Sequence, residues 1–351
     1  MDAIENNEIR TEAVDFSFGE LLNLHKDGEI VIRPEYQRLF RWSNEQRSRL
    51  IESILLKLPI PPIFLIEDNE GVLELIDGLQ RTSSVIQFMD HDAIEEPELI
   101  LEGCDILDDL NGMKFEDFAT SIRLGLKRTP IRAIIIKKSG SDFVKYEMFK
   151  RLNTGGSLLA PQEIRNCSCR MISGGADFYT RLQSLASHSG FVTATNRIPE
   201  TDREQRADEE LVLRFFAVEQ YRDHFSGNVR EWLDAYMEEI LFEEDQSHIF
   251  NEDHFRYFFD FIADKFGDSA FSRWRDGSAT GRLAPAYFEA VCGALSPRFK
   301  ELTDRSPEDL QATLNNAFED EEFRDATGPG ANSKMKMEAR IEVVGKHFFP
   351  E

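Results

Sequence analysis

Two hydrophobic periods take turns along the first half of this chain. Leu50, Ile51, Ile54, Leu55 and Leu58 recur at helical spacing and predict a helix from Ser43 or Asn44 to Leu58, stopped by Pro59, Pro61 and Pro62. Ile63 to Ile66 and Val72 to Ile76 are short apolar runs on either side of Asp68-Asn69-Glu70-Gly71, which predicts two joined strands. Thr82 to Met89 reads as a helix, Glu29 to Ile32 and Thr129 to Lys137 as strands, and Phe16 to His25 and Asp142 to Leu152 as helices. Residues 1–15 read as a flexible acidic terminus, and His91 to Asp117 as an acidic stretch without clear period. From about Met171 the pattern is helical: Phe178 to His188, Asp208 to Tyr221, Val229 to Phe242, His254 to Phe266, Pro285 to Leu295, Pro307 to Phe318 and Lys334 to Phe348. Phe255, Phe258, Phe259, Phe261 and Phe266 fall at helical spacing and are expected in a core rather than on a base-stacking face. The expected class is α+β, with an N-terminal domain over 16–170 and a mostly α-helical domain over 171–351.

Charge sharpens this division. The 351 residues carry 65 Asp and Glu against 41 Lys and Arg, a formal charge of −24, which argues against a general nucleic-acid coat protein. The imbalance is uneven. Segments 31–58 and 121–151 are net basic, whereas 91–118 and 200–260 are strongly acidic. Cys104, Cys167, Cys169 and Cys292 form no knuckle spacing and are expected as free thiols. The acidic start Met1-Asp2-Ala3-Ile4-Glu5 is no signal peptide, and no apolar run is long enough for a membrane span, so a cytoplasmic protein is expected.

Candidate chemistry gathers where a strand runs into a helix. Val72 to Ile76 ends in Asp77-Gly78, and Leu79-Gln80-Arg81 opens the next helix. A glycine turn at a helix start presents free N–H groups, and Arg81 adds a guanidinium fork, a combination suited to phosphate. Asp77 can orient Arg81, hold Mg2+ or position a water; it can equally cap the helix while Arg81 lies on the surface. Tyr36-Gln37-Arg38 supplies an aromatic face, an amide and a guanidinium, with Arg41 and Trp42 close behind. Asn153-Thr154-Gly155-Gly156 offers donors and a glycine turn, or simply a helix C-cap. No Walker A loop, G-x-G-x-x-G, H-E-x-x-H or G-x-S-x-G occurs.

Taken in order, Arg33-Pro34-Glu35-Tyr36-Gln37-Arg38, Asp77-Gly78-Leu79-Gln80-Arg81 and Phe149 to Gly156 followed by Leu159 to Asn166 resemble the N-terminal domain family of the GmrSD-type restriction endonucleases over roughly residues 20–170. Leu79 stands where that family usually has a polar residue. The resemblance implies a ParB/sulfiredoxin-like nucleotide-binding fold, an NTP with Mg2+ held at Asp77, and an NTP-hydrolysing module of a prokaryotic restriction or anti-phage defence system. Asp77, Arg81 and Arg38 are its implied catalytic residues; Gly78, Gln80, Arg81, Tyr36, Gln37, Arg38, Asn153, Thr154 and Gly155 are its implied nucleotide contacts. His347-Phe348-Phe349-Pro350 looks faintly like the start of the His-x-x-Pro motif of the nuclease domain that follows in longer relatives, but Glu351 comes next, and so short a match is read as chance. A stand-alone member is therefore expected, with DNA, a partner nuclease or another defence protein as partners. The alternative is a non-catalytic DNA-binding or regulatory subunit that uses nucleotide at most as a switch.

Overall fold

The computed structural model describes residues 10–32, 42–68, 70–137, 143, 146–148, 150–151, 160–170, 172–242, 250–275, 278–328 and 330–350. By packing, the chain forms two compact units, Met1–Ser157 and Leu158–Glu351. The division comes earlier than the boundary expected after residue 170, because the helix Pro161–Arg170 packs among the helices that follow it.

The first unit is a five-stranded mixed sheet with helices. In chain order its elements are β1 (Arg10–Ser17), α1 (Phe18–Lys26), β2 (Ile30–Val31), α2 (Asn44–Leu55), β3 (Ile63–Glu67), β4 (Leu73–Asp77), α3 (Leu79–Met89), α4 (Thr120–Arg128) and β5 (Pro130–Lys137). The strand order is β1-β5-β3-β4-β2. β3 runs parallel to β5 and antiparallel to β4, with Phe64 opposite Asp77. Ile131, Ala133 and Ile135 of β5, Ile63 and Leu65 of β3, and Val85 and Ile86 of α3 are buried in one core.

Two expectations at the N-terminus are corrected. Residues 10–15 are not flexible but belong to β1, which pairs antiparallel with β5 from Arg10↔Lys137 to Ser17↔Pro130. The expected helix start at Phe16 moves to Phe18, where Ser17 forms a capping box with Glu20. β1 is an edge strand with mostly exposed side chains, held by main-chain pairing and by the forked pair of Arg132 with Asp15 at 2.8 and 2.9 Å. The acidic stretch after α3, which lacks a clear period, holds short 3-10 turns at Asp108–Leu110 and Phe115–Asp117 and is anchored to the unit. Buried Glu52 accepts the N–H groups of Ile106 and Leu107 at 2.9 and 2.7 Å, and Phe115 and Phe118 pack edge-on against Phe88.

The second unit is helical apart from a small hairpin. Its elements are α5 (Pro161–Arg170), α6 (Gly175–Ala186), α7 (Ser189–Ala194), α8 (Glu200–Glu204), α9 (Ala207–Gln220), α10 (Val229–Phe242), α11 (Glu252–Phe266), β6 (Arg273–Arg275), β7 (Ser278–Thr280), α12 (Pro285–Leu295), α13 (Pro307–Glu319), α14 (Glu321–Ala326) and α15 (Lys334–Phe348). The phenylalanines of α11 are buried as expected and interlock with Phe215 and Phe216 of α9. A chain of ion pairs crosses this core. Arg165 of α5 binds Asp234 of α10 and Glu210 of α9; Glu210 also binds Arg214; Arg214 binds Glu289 of α12; and Glu289 binds Arg340 of α15. All four cysteines are free and buried, and burial pushes the Cys167 and Cys169 thiols far above their ordinary range.

One buried carboxyl makes stability depend on pH. Burial, with the Asp208 charge beside it, raises Glu209 from an ordinary 4.5 to about 6, against the opposing pull of Arg206 and the Asn166 amide. A carboxyl raised in the folded state keeps its proton there at a pH where the unfolded chain has lost it. Its contribution therefore weakens as pH rises from 4.5 through about 6. Glu209→Gln is expected to raise stability by about 1–2 kcal/mol at pH 7.5 and to change little at pH 4.5, as measured by urea midpoints at both values. Equal effects at the two pH values would refute this assignment.

Candidate functional site: the turn between β4 and α3

β4 delivers Asp77 to the sheet end, and the chain then turns into α3 within a single residue. That residue, Gly78, has φ +91° and ψ 12°, a left-handed conformation that glycine alone adopts cheaply. It is also buried beneath β3. A Cβ at Gly78 would lie 2.4 Å from Ile63 Cγ2 and 3.2 Å from Arg81 Nη2. Its missing side chain thus makes room for Ile63, a reason for glycine that strand packing supplies by itself.

Of the roles open to Asp77 and Arg81, the structure holds the one in which Asp77 orients Arg81, and not the helix cap with a surface arginine. No side chain caps α3, so Asp77 does not cap it, and no acidic residue stands in its first turn. The first intrahelical bond runs from Thr82 N–H to the Gly78 carbonyl at 2.9 Å. The N–H groups of Leu79, Gln80 and Arg81 precede it and carry the positive end of the helix dipole. Arg81 does not lie on the surface. Its Nη2 donates to Asp77 Oδ2 at 2.9 Å and to the Pro62 carbonyl at 3.0 Å, and its side chain is only 19% exposed. Its buried Nε has no hydrogen-bond partner among the described residues. The guanidinium therefore bridges the end of β4 to the approach of β3 and keeps unspent donor capacity.

Gln80 ties a second segment to this turn. Its Oε1 accepts the Trp42 N–H at 3.1 Å, which fixes a residue four positions after Arg38 to the first turn of α3. Tyr36, Gln37, Arg38 and Arg41, and likewise Asn153, Thr154 and Gly155, lie outside the described residues. Trp42 is half-buried, and Leu79 packs against the core, which accounts for an apolar residue at that position. Further along α3, Gln87 accepts from Arg47 Nη1 at 2.7 Å and donates to the Pro97 carbonyl at 2.7 Å, so a row of polar side chains on α3 faces α2 and the segment beyond α3.

Among the described residues no group of three or more His, Cys, Asp and Glu side chains could hold a metal ion, and no helix is long and apolar enough to cross a membrane. Mg2+ needs fewer protein ligands than such a group, since one or two carboxylates and substrate phosphates suffice. Asp77, 29% exposed with one oxygen on Arg81, fits that limited role. His347 points elsewhere: its Nε2 lies 3.3 Å from Asp320, and Phe348 is core. Sequence reasoning missed the Pro62 carbonyl and the Ile63 lid. The only signal for them was the apolar run Ile63 to Ile66 directly after the prolines, whose antiparallel partner is β4.

Residues 18–169 match the family model for the GmrSD restriction endonuclease, N-terminal domain. No curated protein and no solved structure matches the chain.

Proposed function

We propose, on the premise that residues 18–169 belong to the GmrSD restriction endonuclease N-terminal domain family, that this restriction or defence module binds a nucleoside triphosphate at the β4–α3 turn and hydrolyses it. The observation that carries the reading is the uncapped start of α3 directly after a left-handed glycine, with the Arg81 guanidinium beside it. The N–H groups of residues 79–81 donate to phosphate oxygens, and Arg81 turns part of its fork from Asp77 to the more highly charged phosphate. Asp77, released from Arg81, orients a water or the metal. Mg2+, when bound, neutralises phosphate charge, which is most of what phosphoryl transfer asks of a site. The family resemblance supplies Arg38 as the group that meets developing negative charge, and Tyr36, Gln37, Asn153, Thr154 and Gly155 as further contacts. The ParB/sulfiredoxin-like kinship, a role with DNA and a partner nuclease belong to the same proposal.

The Arg81 bridge favours a second reading, in which the nucleotide acts as a switch without turnover. Exchange of Arg81 between Asp77 and phosphate would loosen β3 from β4 at Pro62, and so change the sheet end rather than cleave a bond. Both readings share one test. The four NTPs with Mg2+ are titrated calorimetrically into the wild type and Arg81→Lys, with phosphate release followed in parallel. Lysine keeps the charge but loses the fork, so affinity is expected to fall about tenfold or more. Undiminished affinity in Arg81→Lys, or no heat with any NTP, would sink the proposal. Binding without phosphate release selects the switch.

A further inference from the structure

The arginines of the helical unit are mostly spoken for. Arg181 and Arg256 hold Glu252, Arg222 holds Glu338, Arg298 holds Glu301, and Arg305 holds Asp309. Arg230, Arg273, Arg282 and Arg324 differ. None has an ion pair or a side-chain hydrogen bond among the described residues, although the chain carries 65 acids to 41 bases. These four come from α10, β6, the loop after β7, and α14, far apart in sequence. All four line three adjoining cavities of about 580, 470 and 290 Å³, which meet along shared walls at Arg273.

Other features of the groove have the same sign. Ala284, Pro285 and Ala286 bring the start of α12 into its wall, a helix with no capping side chain and no acidic residue in its first turn. Arg214 lines the two larger cavities; its charge is matched by Glu210 and Glu289, but its buried Nε has no partner among the described residues and leaves a donor there. Of the acids on the walls, Glu210 is neutralised by Arg165 and Arg214, which leaves Asp202 and Glu319. In a protein of charge −24 the overall field repels polyanions, so a polyanion could be held only where cations without acidic partners are gathered, as they are in this groove.

We propose that this groove binds the phosphodiester backbone of a nucleic-acid strand. Guanidinium forks set along a groove fit successive phosphates bidentately. Trp274, partly exposed on the wall with its indole N–H fixed on the Ser269 carbonyl at 3.1 Å, offers a base a stacking face. The groove gives the role with DNA in the proposed function a site of its own and rests on that part of the reading; it lies in a different unit from the Asp77 turn and its test needs no nucleotide, so nucleotide binding and strand binding can each fail without the other.

The test is fluorescence anisotropy of a labelled oligonucleotide, single-stranded and duplex, with the full chain at several salt concentrations. Arg273→Glu/Arg282→Glu is expected to weaken binding about tenfold or more and to flatten the salt dependence. Both residues are exposed, so the variant should keep the wild-type melting temperature. Arg298→Glu/Lys346→Glu, the same charge change at exposed sites outside the groove, should bind as the wild type does. No wild-type binding, or equal losses in the two double variants, would overturn the proposal. Displacement of the oligonucleotide by polyglutamate of equal charge would also overturn it, in favour of an acidic protein partner.

Discussion

Glu289→Ala is expected to destabilise the helical unit by about 3–5 kcal/mol, the usual cost of removing one partner from a buried ion pair. Glu289 is 2% exposed and lies between Arg214, 6% exposed, and Arg340, 1% exposed. Its Oε1 accepts from Arg214 Nη1 at 2.6 Å, and its Oε2 accepts from Arg340 Nη2. Burial alone would lower the pKa of Arg214, but Glu289 and Glu210 outweigh it and raise the value; a guanidinium does not give up its proton at ordinary pH, so Arg214 stays charged once Glu289 is gone. Two cations would then face each other in a core. Arg340 retains the Ala331 carbonyl at 2.8 Å, and Arg214 retains Glu210 at 2.8 Å, which limits the loss without cancelling it. Urea denaturation followed by circular dichroism measures the effect. A loss under about 1 kcal/mol would mean that water reaches these arginines and that the pair is effectively at the surface. Glu289→Gln keeps the shape and one accepting oxygen, but its amide NH2 would face a guanidinium donor, so it removes the negative charge together with one of the two hydrogen bonds.

Gly78→Ala is expected to cost about 3 kcal/mol, from two separable sources. A left-handed backbone costs a non-glycine residue about 1–2 kcal/mol, and forced overpacking adds about 1–3. Gly71 isolates the first source. It has φ +88°, and a Cβ there would meet nothing within 4 Å, so Gly71→Ala carries the backbone cost alone. The excess at Gly78 reports the collision with Ile63 Cγ2. Ile63→Ala should therefore be less harmful in the Gly78→Ala background than in the wild type, a coupling that a double-mutant cycle reads directly. Equal costs at Gly71 and Gly78 would show that Ile63 yields freely. The turn would then be held by its backbone and not by the sheet.

The longer elements were legible where one face meets the core, whereas the six-residue helices α7 and α14 were not, although Phe191 and Phe323 are buried, because so few residues show no period. Val229–Phe242, Pro285–Leu295 and Lys334–Phe348 have the bounds that apolar spacing predicts, because buried residues such as Trp232, Tyr236 and Ile240 recur at helical intervals. Elements with little buried surface were not legible. α4 has Leu126 as its one buried residue, and the exposed side chains of β1 resemble those of a loose tail. What places β1 is main-chain pairing with β5, which leaves no mark in side-chain pattern.

The candidate site divides along the same line. That Asp77-Gly78-Leu79-Gln80-Arg81 joins a strand to a helix through a glycine turn, and that the second half is a helical body with an aromatic core, followed from residue order alone, since periodicity and turn chemistry are local. That Arg81 reaches back to the Pro62 carbonyl, that Ile63 fills the space at Gly78, and that Arg230, Arg273, Arg282 and Arg324 share one groove were decided only by tertiary structure. Each of these depends on which segments the packed sheet and helices bring side by side, and separation along the chain carries no record of that.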